Sequence, residues 1–155
     1  MIQRIQTVYL LLIVVLSAFT IFAPVAGLIG TGDTIRYILN FNGISMIENS
    51  SATMVMNTWA LSAISVIIPV VALVSIFLYK KRMLQIRLSI FNTVIMTGYY
   101  GLLFIYLWQA SGSLKADWYL EIVSAFPLIC IILNVLSIRA IGKDEALVKS
   151  LNRLR

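Results

Sequence analysis

The side chains able to do chemistry in this sequence are few. There is no histidine, and Cys130 is the single cysteine. The commonest metal ligand and the commonest general base are therefore both missing. One thiol makes neither an intrachain disulfide nor a cysteine metal site. The hydroxyls of Ser and Thr, and Cys130, are nucleophiles without a base. The acids are Asp33, Glu48, Asp117, Glu121, Asp144 and Glu145, and nothing in the spacing of the first four brings them together. No zinc motif, phosphate-binding loop or G-x-S-x-G is present. The expectation is a protein that is not an enzyme and uses no metal or cofactor.

The remaining polar pattern concerns packing. Ser89, Thr93, Thr97 and Gly101 recur every four residues. Small residues at that spacing form a groove that lets a second helix approach closely. Packing within the molecule is the preferred reading, with contact to a second protein as the alternative. Asn92 and Asn134 sit at matching depths, each about one turn inside an apolar run. A lone amide in hydrocarbon is costly and a partner relieves it. They are expected to face the interior and hydrogen-bond each other, as a packing clasp rather than a substrate site. Pro69 lies mid-run, where it removes one backbone hydrogen bond and predicts a kink. Pro127 falls inside a later run and Pro24 near the end of the first. Cys130 reads as a small buried hydrophobe.

The elements that must position these residues follow from composition. Of 155 residues, 61% are hydrophobic and 12% charged, against about 45–50% and about 25% in ordinary globular domains. Mean hydropathy is +0.97. A chain of this kind lacks the polar groups to cover itself in water, and it is too apolar for disorder. A membrane helix needs about 20 mostly apolar residues. Four intervals lack any charge: Arg4 to Asp33, Glu48 to Lys80, Arg87 to Lys115, and Glu121 to Arg139. They predict spans over 5–27, 58–79, 88–108 and 118–138. The first resembles a secretory signal, but its apolar run is at or beyond the upper limit for one, so a retained helix is expected. The fold class is thus an all-α integral membrane bundle of four antiparallel helices in one domain, 1–155.

Basic residues orient it. Arg4, Lys80, Lys81, Arg82, Arg87, Arg139, Lys143, Lys149, Arg153 and Arg155 fall on one side, and only Arg36 and Lys115 on the other. Both termini are expected to be cytoplasmic. Trp59, Trp108 and Trp118 all fall at the outer boundary, where a half-buried indole is favoured. The outer loop, 28–57, contains Asn42-Gly43 between apolar runs, a hairpin signal. A lone hairpin is marginal in water, so a lid on the helix ends is preferred over a recognition element. Asn49-Ser50-Ser51 matches the glycosylation pattern, a short match that is common by chance. The tail, 143–155, reads as an amphipathic helix with Leu147, Val148, Leu151 and Leu154 near one face and Asp144 and Glu145 near its start. Lys80, Lys81, Arg82, Arg87, Lys149, Arg153 and Arg155 are candidate contacts to anionic head groups at the cytoplasmic face or to a partner protein.

Three stretches are distinctive. They are Met1-Ile2-Gln3-Arg4-Ile5-Gln6-Thr7, then Arg82-Met83-Leu84-Gln85-Ile86-Arg87-Leu88, and the tail from Arg139 through Lys143-Asp144-Glu145-Ala146-Leu147-Val148 to Arg155. Together they resemble a domain-of-unknown-function family of small four-helix inner-membrane proteins of Gram-negative bacteria. Gly142 stands where that pattern carries a basic residue. The resemblance implies four helices and cytoplasmic ends, and it carries no activity or site residues. Two functions remain. The first is a non-catalytic subunit, scaffold or accessory of a membrane complex. The second is a small oligomeric transporter or channel for an uncharged or weakly polar solute, with Ser65, Asn92, Thr97 and Asn134 along its path. The implied partners are the bilayer and a membrane protein or second copy, with no nucleic acid. Missing charges within the spans favour the first function.

Overall fold

The computed structural model describes residues 3–30, 35–48, 51–79 and 81–153; the side chains of 3, 4, 48, 51, 52 and 147–153 fall outside that description. Four long helices carry most of the chain: α1 Gln3–Phe22, α2 Trp59–Phe77, α3 Arg82–Leu114 and α4 Phe126–Arg153. Five short strands complete it: β1 Ala26–Gly30, β2 Arg36–Asn40, β3 Gly43–Glu48, β4 Ser51–Asn57 and β5 Ala116–Leu120. They form one antiparallel sheet in the order β4-β3-β2-β1-β5.

The protein is therefore not all-α. The expected hairpin exists as β2–β3, but its two-residue turn is Phe41-Asn42, with Gly43 already paired to Asn40. Gly43 has φ 144°, a value side chains rarely adopt. A Cβ there would also strike the Met56 carbonyl of β4. The hairpin grows into a sheet because β1 pairs on one side with β2 and on the other with β5, a strand about ninety residues later in the chain. Alternation puts Ala26, Leu28, Tyr37, Leu39 and Ile44 on one buried face, joined to the cluster that contains Leu107 and Ala110 of α3.

The helix ends meet this sheet. Val25 and Glu121 extend its ladder, through Val25 N–H to Leu39 and Glu121 N–H to Val25. Ser62, in the first turn of α2, donates to the Phe41 carbonyl. Thus α1 and α3 run towards the sheet, and α2 and α4 run away from it. Each helix packs on two others, in the cycle α1–α2–α3–α4.

Helix bounds differ from the sequence expectation for local reasons. The first helix stops at Phe22, not Gly27. Pro24 cannot continue it, and 26–30 are drawn into the sheet. Residues 118–120, expected to open the fourth span, belong to β5. A left-handed Lys115 (φ 47°) ends α3 and launches that strand. A 3₁₀ turn, Ile122–Ala125, follows. Pro127 consequently sits in the first turn of α4, where a missing N–H is tolerated. α2 continues through Pro69. The tail is not a separate helix: α4 runs unbroken to Arg153, so Asp144 and Glu145 are far from its start.

Candidate functional site

Buried positions recur at steps of three or four residues along every helix. They are Gln6, Leu10, Ile13, Ser17 and Thr20 on α1, and Leu61, Ser65, Ile68, Ala72 and Ser75 on α2. On α3 they run from Gln85 through Ser89, Asn92, Met96 and Tyr99 to Ala110. On α4 they are Pro127, Cys130, Asn134, Ser137, Ile141 and Asp144. This is the spacing by which one helical face meets its neighbours. The buried faces are rich in amides and hydroxyls. The opposite faces carry large apolar side chains such as Phe19, Val70, Val94, Ile105 and Ile132.

The polar seam resolves into two parts. On α1 and α2 the hydroxyls bond back to their own helix: Ser17 to Ile13 O at 2.6 Å, Ser65 to Leu61 O at 2.9 Å and Ser75 to Val71 O at 2.8 Å. Between α3 and α4 the contact crosses helices. The Asn134 amide donates to Ser89 O at 2.8 Å and to Thr93 Oγ1 at 3.0 Å. Asn92 and Asn134 are both buried, but their amides do not form the expected pair. Among the described residues, Asn92 Oδ1, Asn134 Oδ1, Ser89 Oγ and Ser137 Oγ have no hydrogen-bond partner.

The four-residue stripe does not act as a unit. Four residues turn a helix by about 400°, so the stripe drifts by about 40° per step and by about 120° from Ser89 to Gly101. Ser89 is buried and Thr93 half-buried against α4, whereas Thr97 and Gly101 are exposed. A Cβ at Gly101 would meet nothing within 4 Å.

At the helix ends remote from the sheet, side chains from three helices converge. The Gln6 amide of α1 donates to Asp144 Oδ2 of α4 at 2.8 Å. Arg82, at the start of α3, donates from Nη1 to the Asp144 main-chain carbonyl at 3.3 Å. Gln6 and Asp144 are 6% and 7% exposed, and Gln85 is 4% exposed. Asp144 is buried because it falls in register with the buried face of α4. Beside this cluster lies a cleft of about 410 Å³, walled by Gln6, Arg82 and Gln85 at its polar end and by Val8, Leu11 and Leu12 of α1 along its apolar side.

Of the candidate basic contacts, Arg82 enters the cluster while Lys81 and Arg87 are exposed nearby. Lys80 and Arg155 lie outside the described residues, as do the Lys149 and Arg153 side chains and Asn49-Ser50. Sequence reasoning missed Gln6, Gln85 and Asp144 as site residues. The available signal was position: each continues a buried three-four register past the end of the apolar run. Among the described residues no group of His, Cys, Asp or Glu is placed to hold a metal ion.

Gln6, Arg82 with Gln85, and Asp144 come respectively from the three distinctive stretches of the sequence, and the fold brings those stretches to one place. The four helices are each long and apolar enough to cross a membrane. The chain belongs to the family described as a domain of unknown function (DUF4293), which matches residues 2–154. No curated protein matches it.

Proposed function

We propose that the protein is a four-helix bundle of the bacterial inner membrane that serves as a non-catalytic subunit, scaffold or accessory of a membrane complex. One observation carries the membrane reading. The exterior of the helices is built largely of exposed Leu, Ile, Val and Phe, while Gln, Asn, Ser and Thr are buried between them beside Leu, Ile and Met, a distribution opposite to the one expected in water. In hydrocarbon, apolar exteriors are solvated and small or polar seams hold helices together.

The sheet lies on the outer side and the Gln6–Arg82–Asp144 end is cytoplasmic. This places Lys81, Arg87, Arg139 and Lys143 inside. It also puts Trp59, Trp108 and Trp118, all exposed, near the outer boundary. α4 continues nine residues past Asp144, about 14 Å at 1.5 Å per residue. Over that stretch the sequence carries Leu147, Val148 and Leu151 at helical spacing, which we read as the partner-binding stripe. The test is gentle-detergent purification from native cells. A partner at fixed stoichiometry that is lost in Leu151→Glu supports the reading; an isolated chain unaffected by that change contradicts it.

A transport role for a small neutral solute has one observation in its favour, the buried polar atoms of Ser89, Asn92, Asn134 and Ser137 that have no hydrogen-bond partner among the described residues. Solute flux through the purified protein in liposomes, abolished by Asn92→Leu, would establish it instead.

A further inference from the structure

The cleft at the Gln6–Arg82–Asp144 end has two chemically different halves. Its polar end holds the Arg82 guanidinium beside the buried amides of Gln6 and Gln85. The contact from Arg82 Nη1 to the Asp144 carbonyl orients the guanidinium, and the Asp144 carboxylate accepts from the Gln6 amide. A guanidinium carries five donors in a planar fork suited to a phosphate. The other half is apolar. Val8, Leu11 and Leu12 occupy one stripe of α1 at the i, i+3, i+4 spacing, 41–53% exposed. From Gln6 to Leu12 the wall runs six residues, about 9 Å along the helix, away from the charged end and towards the middle of α1.

We propose that this cleft holds one acidic membrane lipid, with its phosphate on Arg82 and the upper part of an acyl chain along Val8, Leu11 and Leu12. The inference rests on the membrane reading above and adds a ligand of defined chemistry to it. Three features select that occupant. The cavity volume, about 410 Å³, is in the range of small-molecule sites, so the lipid is held in a concavity rather than against a flat helix. The apolar wall has no use for a soluble anion. The oriented charge of Arg82 in the cleft wall favours an anionic head group over a zwitterionic one.

The test uses the full chain purified in a mild detergent, with native mass spectrometry and lipid titration. The probes are phosphatidylglycerol, phosphatidylcholine of the same acyl chains, and glycerol 3-phosphate. One phosphatidylglycerol per chain is expected, bound about tenfold more tightly than phosphatidylcholine, the factor a charge-assisted contact supplies. Glycerol 3-phosphate is expected not to bind. Arg82→Gln should bring the two lipids to parity. Leu12→Trp, which fills the apolar side, should weaken phosphatidylglycerol binding while leaving the melting temperature of the lipid-free protein within a degree or two. Arg87→Gln, away from the cleft wall, should change the preference less than Arg82→Gln does. Equal binding of the two lipids, glycerol 3-phosphate binding as tightly as the lipid, or no effect of Leu12→Trp overturns the proposal. If the protein needs detergent yet shows no lipid preference, the lipid site fails and the membrane reading stands. If it is soluble without detergent, both fail.

Discussion

Gln6 and Asp144 stand 138 positions apart in the chain and are joined by a 2.8 Å hydrogen bond, with both side chains more than nine-tenths buried. This contact ties the start of α1 to the later turns of α4 and gives a buried carboxylate a donor. Removing one partner leaves the other unsatisfied, at a cost of about 1–3 kcal/mol. Asp144→Ala should therefore lower the melting temperature clearly in detergent. Asp144→Asn retains an acceptor for the Gln6 amide and should cost less. Equal losses for the two variants would show that the hydrogen bond has no part in stability. A double-mutant cycle with Gln6→Leu isolates the coupling.

The two buried asparagines should behave oppositely. Asn134 donates to Ser89 O and Thr93 Oγ1, and Asn134→Leu should destabilise by roughly 0.6–1.7 kcal/mol, the range of interhelical hydrogen bonds in membranes. The carbonyl oxygen of Asn92 has no partner among the described residues. Asn92→Leu removes an unsatisfied group and should be neutral or stabilising in the same melting assay. Equal destabilisation by both would mean that Asn92 has a partner in the membrane.

Gly43 has φ 144° and lies against the Met56 carbonyl. Gly43→Ala should cost about 1–3 kcal/mol of local strain. The loss belongs to the sheet, so faster amide exchange should appear in β2, β3 and β4 while α1 and α4 stay protected. Unchanged exchange in the sheet would contradict this account of the turn.

The helices were legible because long uncharged apolar runs have few other solutions. The sheet was legible only at Asn42-Gly43, where turn chemistry is local. β5 was hidden, since Trp118, Tyr119 and Leu120 are as apolar as a helix start and their pairing to β1 is set by residues far away in sequence. Gly27 offers a retrospective clue: it lies opposite Tyr119, whose ring fills the space a Cβ would need. Both asparagines are buried, but burial does not specify which way each amide turns, and Asn134 donates to a main-chain carbonyl. The small-residue stripe divides because a four-residue repeat drifts around the helix: Ser89 and Thr93 meet α4, and Thr97 and Gly101 are exposed. Asp144 was read as a helix-start acid because the tail was separated from the fourth span. Once α4 is continuous, the same residue becomes a buried member of the seam.

Cys130 is 1% exposed, with its sulfur 3.9 Å from the Ile13 carbonyl. It should resist maleimides in the folded protein and react after unfolding in denaturing detergent. Labelling of the native protein at the rate of a free thiol would contradict its placement between α1 and α4.

In the proposed orientation the chain crosses the membrane with its sheet outside and the Gln6–Asp144 end inside. Single cysteines at two exposed positions, Asn42 in the β2–β3 turn and Lys143 on α4, test it most directly in a Cys130→Ser background. In spheroplasts, a membrane-impermeant maleimide should label Asn42→Cys at once and Lys143→Cys only after permeabilisation. Labelling of both before permeabilisation, or the reverse order, would contradict the account.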